Sequence, residues 1–123
     1  MLFCLFSLFG GEYIRWQGDY NKALKEARET KKPLMVLLIE SNSSHCKNVI
    51  RDIFTNQPYI KKLNKKFISV ILNRDYKYSY PIELYYSNSY PTLFFVDSQN
   101  ETFLIEPIYN KEISKERINS LLF

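Results

Sequence analysis

Apolar residues run unbroken from Leu34 to Ile39. Six residues are too few for a buried helix and suit a strand covered on both faces. Residues 67–72 predict a second buried strand. Elsewhere the spacing is helical. Tyr20, Ala23, Leu24 and Ala27 recur at i, i+3, i+4 and i+7 behind Asp19, a candidate N-cap, and Lys31-Lys32-Pro33 closes the segment. Cys46, Val49, Ile50 and Ile53 mark another helical face. Pro58 interrupts it, and Ile60 and Leu63 carry a second piece. Residues 12–16 suggest an edge strand, 73–80 an aromatic loop and 81–86 a short helix. Residues 92–96 and 102–105 read as strands about a turn at 97–100. Ile118, Leu121 and Leu122 give a last helix its apolar side. The order β-α-β-α-β-α-β-β-α predicts an α/β fold: a mixed central sheet, parallel where helices cross over and antiparallel at the hairpin, with helices on both faces.

The chain has 123 residues, enough for one domain; 46% are hydrophobic and 24% charged, as in a globular protein. The net charge of +4 is spread along the sequence. The one dense basic cluster, Lys61, Lys62, Lys65 and Lys66, falls at a helix end, where cations suit the dipole, so it reads as a solvated face and not as a nucleic-acid patch. Residues 2–9 are almost wholly apolar and precede Gly10-Gly11. That run is too short for a stable membrane span, which takes about 20 residues. It lacks a positive flank and a clean cleavage site, yet it matches the apolar stretch of an export signal whose start lies upstream; the alternative is a short hydrophobic strand or arm packed on the domain. The expectation is an export remnant at 1–11, a folded domain at 12–123, and a periplasmic or otherwise extracytoplasmic setting.

Two cysteines, Cys4 and Cys46, and one histidine, His45, restrict the chemistry. Cys4 lies in the suspected signal, so the domain itself holds one thiol. No disulfide framework, zinc site or multi-histidine centre can be assembled, and neither a metal nor another cofactor is expected.

Four features together resemble the thioredoxin-like family, in particular its small exported members. Trp16, Asp19, Ala23, Leu24, Ala27, Lys32 and Pro33 resemble its W-x-x-D…A-L…A…K-P helix. Leu34 to Ile39 resembles the strand before the redox motif. Ser43-Ser44-His45-Cys46-Lys47 stands where that family has C-x-x-C-K at a helix start, and Tyr90-Pro91-Thr92 before Leu93 to Asp97 is similar to its cis-proline segment. The resemblance spans about residues 16–122. It implies a cis Tyr90–Pro91 bond beside the Ser43–Cys46 turn and a face that docks extended peptides.

The motif departs from the family at one atom. In the family the first cysteine attacks a substrate disulfide and the second resolves the mixed disulfide. Ser43 occupies the first place, and a hydroxyl cannot replace a thiolate there. Cys46, in the first helical turn and following His45, is the remaining redox candidate, although the second position is usually shielded. The run S-S-H-C is also similar to the C-P-H-C of strongly oxidising members, whose histidine acts on the cysteine missing here. An S-x-x-C spacing resembles the T-x-x-C of peroxiredoxins too, but Ile39 stands where that family places a proline.

Tyr76, Tyr78, Tyr80, Tyr85, Tyr86 and Tyr90 cluster before the proline. Most are expected to cover a modest core. Tyr90, with Pro91 and Thr92, is the candidate substrate-binding segment, and Ser43, His45 and Cys46 form the candidate catalytic group. The function expected is thiol/disulfide redox homeostasis in the cell envelope through a degenerate S-x-x-C site, with a protein or peptide partner at the Ser43–Cys46/Pro91 face. The alternative is a non-catalytic peptide- or protein-binding module of the same fold.

Overall fold

The computed structural model describes residues 12–122; the expectation for 1–11 lies outside them. Helix α1 (Tyr20–Thr30) begins at Asp19, whose carboxylate accepts from the Lys22 N–H, and ends at Lys31 in the left-handed conformation. Strand β1 (Leu34–Ile39) follows, then α2 (Ser44–Ile53), α3 (Ile60–Lys66) and β2 (Ile68–Asn73). A long loop leads to β3 (Thr92–Asp97), and two short strands, β4 (Thr102–Phe103) and β5 (Ile108–Tyr109), precede α4 (Lys115–Ser120).

The sheet runs β2-β1-β3-β4, with β5 also paired to β3. β1 is parallel to β2 and antiparallel to β3, and β3 is antiparallel to β4 and β5. This is the mixed sheet that the pattern predicts. Alternation along β1 divides its side chains between two cores. Leu34, Val36 and Leu38 meet Ala23, Leu24 and Ala27 of α1. Met35 and Leu37 meet Val49 of α2, Ile60 and Leu63 of α3, and Ile118 of α4.

Three expectations change. Residues 12–16 form no regular strand: only isolated bridges, Tyr13 to Thr55 and Gln17 to Val70, attach this segment. Residues 81–86 are turns and not a helix, although Leu84 N–H and Tyr85 N–H both donate to Pro81 O. The segment has too few residues to propagate a helix, and its role is to plug: Tyr85, with Tyr80, Leu84 and Tyr90 around it, packs against the α1-side core. The second hairpin strand stops at Phe103, and the pairing at Ile108 and Tyr109 carries no period that short strands could reveal.

The Tyr85 plug is polar at its tip. Its hydroxyl lies 2.8 Å from that of Tyr20, which also donates to Glu101 Oε2 at 3.1 Å. Burial pushes both phenols well above their ordinary range. Glu101 is in turn 3.3 Å from the Arg28 guanidinium. The two hydroxyls are unequal, because Tyr85 has only Tyr20 as a partner among the described residues while Tyr20 has two. Tyr20→Phe strands a buried hydroxyl and is expected to cost about 1–3 kcal/mol. Tyr85→Phe leaves Tyr20 bonded to Glu101 and is expected to cost about 0.5–1.5 kcal/mol. Urea unfolding of the two variants checks the order; a larger loss for Tyr85→Phe contradicts it.

Candidate functional site

The site is assembled at the C-terminal ends of β1 and β2. β1 runs out at Ile39, and a polar turn with Asn42 in the left-handed conformation brings the chain to Ser43. Ser43 is the N-cap of α2: its hydroxyl oxygen accepts from the Cys46 N–H at 3.1 Å. A free amide of the first helical turn is thereby satisfied. Cys46 faces inward on that turn and is 1% exposed. His45 faces outward.

The turn is tied to the end of β2. Asn73 Nδ2 donates to Ser41 Oγ at 2.9 Å and the Ser41 N–H donates to Asp75 Oδ2 at 3.0 Å. Hydrogen bonds from Ser41 hold the Asp75 carboxyl below the usual carboxylate range. Arg74 lies with its guanidinium carbon 5.2 Å from the centre of the Tyr90 ring, and 3.9 Å from Glu40 across an exposed ion pair.

The Tyr90–Pro91 peptide is cis. Pro91 O accepts from the Asn110 N–H at 2.9 Å, and Asn110 Oδ1 sits 2.5 Å from His45 Nε2. With the proton on Nε2, His45 donates to that amide oxygen. One residue therefore joins the start of α2 to the proline segment. The structure thus brings Ser43, His45, Cys46, Tyr90 and Pro91 into one neighbourhood. Pro91 and Thr92 are both buried, and the Thr92 hydroxyl is held by Ser87 Oγ and Ser89 O, so it braces the turn before Pro91. Tyr90 is half-buried and donates to Ser87 O at 2.7 Å. Tyr76, Tyr78 and Tyr86 are exposed, whereas Tyr85 is core.

Asn110 carries no signal in the sequence beyond a residue type that tolerates the left-handed region, which it occupies with φ 44°. Its contacts arise from β5 pairing with β3, and that pairing is invisible in the pattern. Among the described residues no group of three His, Cys, Asp or Glu side chains is arranged to hold a metal, and no helix is long and apolar enough to cross a membrane.

A sequence profile described as thioredoxin-like matches residues 15–98. An uncharacterized protein of Borreliella burgdorferi is 34% identical over 100 residues, which are 79% of this chain and 41% of that protein. The chain thus spans about two-fifths of that relative's length. Among solved structures, a thioredoxin from Thermus thermophilus superposes with a TM-score of 0.68 at 16% identity, over 89% of this chain and 85% of that one. A putative disulphide-isomerase from Bacteroides thetaiotaomicron gives 0.72 at 21% identity, over 89% and 91%.

Replacing Asn110 separates its two roles. Asn110→Ala is expected to destabilise by about 1–2 kcal/mol, because alanine resists the left-handed conformation, and it also removes the contact to His45. Asn110→Gly restores the backbone freedom but not the side-chain bond. In both variants the His45 ring resonances in NMR spectra are expected to shift. Unchanged ring signals in either variant contradict the link.

Proposed function

The chain belongs to the thioredoxin-like family, and from that premise we propose that it serves thiol/disulfide redox homeostasis at the cell envelope through a degenerate S-x-x-C site. It engages thiol- or disulfide-bearing protein partners on the face formed by Ser43, His45 and Asn110, with Pro91 buried behind them, and it does not complete a two-thiol cycle. The observation that carries this reading is the Ser43–Cys46 turn. A hydroxyl occupies the place of the attacking sulfur and caps the helix. Cys46, the one cysteine among the described residues, lies one turn in. The apolar run at residues 2–9 supports the extracytoplasmic setting. Mass spectrometry of protein recovered from its native cell tests that setting: a chain beginning near Gly11 supports it, and an uncleaved cytoplasmic chain refutes it.

A second reading, a binding module with no thiol chemistry at all, is favoured by the 1% exposure of Cys46. The two readings differ in what Cys46 does in the folded state. Under the binding-module reading, an aromatic disulfide reagent reacts with native Cys46 at least about tenfold more slowly than with the urea-unfolded chain, as for a thiol reached only by local opening. Under the redox reading a disulfide partner opens the first turn of α2, and mixed-disulfide adducts on Cys46 accumulate in the native protein.

The wild type is expected to lack insulin reductase turnover with dithiothreitol as reductant, and Ser43→Cys to gain it. In the variant the introduced thiolate attacks one sulfur of the substrate disulfide, forming a mixed disulfide and releasing one substrate thiolate, which takes a proton from water. The Cys46 thiolate then attacks the mixed disulfide. The second substrate thiol leaves, and an intramolecular disulfide remains for dithiothreitol to reduce. Strong and equal activity in both proteins refutes the assigned roles. No gain in a folded variant removes the redox reading and leaves the binding module.

A further inference from the structure

Away from this face, a cleft of about 720 Å³ opens between residues 13–17 and the outer edge of β2. Its origin is a broken ladder. Gln17 N–H donates to Ser69 O and Ile71 N–H to Gln17 O, each at 2.9 Å, so the chain pairs with β2 at this one residue. One step earlier it leaves. Trp16 N–H turns back to Ile14 O at 3.0 Å, and Arg15 N–H goes to Asn64 Oδ1 at 3.1 Å. Asn64 Nδ2 donates to Tyr13 O at 3.0 Å, so the first part of the segment is held on α3 and off the strand.

The departure leaves buried donors on Ser69 without partners at the wall of the cleft. Residues 68, 70 and 72 direct their amides to β1, and by the alternation of the ladder Ser69 directs its own to the outer edge. That N–H has no hydrogen-bond partner among the described residues. The Ser69 hydroxyl is in the same state: the residue is 3% exposed, lines the cleft, and its Oγ has no partner among the described residues. A buried hydroxyl left unbonded costs free energy that a ligand acceptor recovers. The surroundings indicate which acceptor. Trp16 and Phe67 supply aromatic wall, and Arg15 and Lys32 supply cations. The one carboxylate, Glu26, already accepts from Gln17 Nε2 at 2.8 Å.

We propose that this cleft binds a small organic carboxylate with an apolar body. Its carboxylate takes the Ser69 N–H and O–H, with Lys32 and Arg15 neutralising the charge, and its apolar part lies against Trp16 and Phe67. The site is separate from the Ser43–Pro91 face and does not depend on the function assigned to it.

Trp16 is the only tryptophan in the chain, so its fluorescence reports on the cleft. The full chain is titrated with 3-phenylpropanoate, and the Ser69 amide is followed by NMR in parallel. Saturable changes in both are expected, with little response to the uncharged 3-phenylpropanamide. Ser69→Ala is expected to fold, since it removes an unbonded hydroxyl, and to weaken binding about tenfold or more, the loss of a hydrogen bond to a charged group. Lys32→Gln is expected to weaken binding and flatten its salt dependence. The proposal is overturned if millimolar 3-phenylpropanoate gives no saturable change, if the amide binds equally well, if folded Ser69→Ala binds unchanged, or if the shifts fall only around α2 and Pro91.

Discussion

Everything in this molecule is referred to β1. Leu34 to Leu38 are at most 1% exposed, and the strand is paired along its length on both sides. Such a strand has no solvent face to relax toward. A one-residue slip would exchange the Leu34, Val36 and Leu38 set with Met35 and Leu37, and each set is shaped to a different layer of helices. Its register is therefore fixed from both faces and both edges. The end of the strand is fixed with it, and that is where the turn to Ser43 begins. The position of the first turn of α2 follows from packing some distance below it.

That rigidity explains how the face is placed without help from the side chain at position 43. Ser43, the buried Cys46 and the cis Tyr90–Pro91 peptide lie on one neighbourhood because β1 and β3 are adjacent antiparallel strands. The Asn110 bridge from Pro91 to His45 rests on the β3–β5 pairing in the same way. None of these placements needs a thiol at position 43. Two further ties, Asn73 to Ser41 and Ser41 to Asp75, fasten the turn to β2. The face is thus held by all three central strands.

What could be read in the sequence follows the strength of the local signal. β1 matches its expected limits because six apolar residues between a proline and a polar turn leave no other reading. α1 is equally legible, since Asp19, the i, i+3, i+4, i+7 face and Pro33 agree. The first turn of α2 was visible through Ser43 and Cys46, and the Tyr90-Pro91-Thr92 segment through its resemblance. The failures share a cause. At residues 81–86 apolar and aromatic residues fall at helix-like intervals, but Tyr85 answers to Tyr20 and Phe94 across the core and not to a helical neighbour. Residues 12–16 alternate enough to suggest a strand, yet Asn64 draws Arg15 away from β2. Asn110 was missed because its partners, His45 and Pro91, are remote in sequence and meet it only through a two-residue strand. In each case a tertiary contact outweighs a short local pattern.

The remaining question is why serine is a stable occupant of position 43. Helix N-caps favour a short side chain with an accepting oxygen, and serine ranks among the best. Its oxygen accepts the Cys46 N–H at 3.1 Å. A neutral thiol is a poorer acceptor than a hydroxyl, and a thiolate at a helix start, though stabilised by the dipole, is open to oxidation. Serine gives the stronger cap and carries no thiolate to oxidise. Cys46, at 1% exposure, is buried on the inner side of the first turn of α2. The pair is consistent on structural grounds alone. A helix that starts well can hold His45 and the Asn110 link in place.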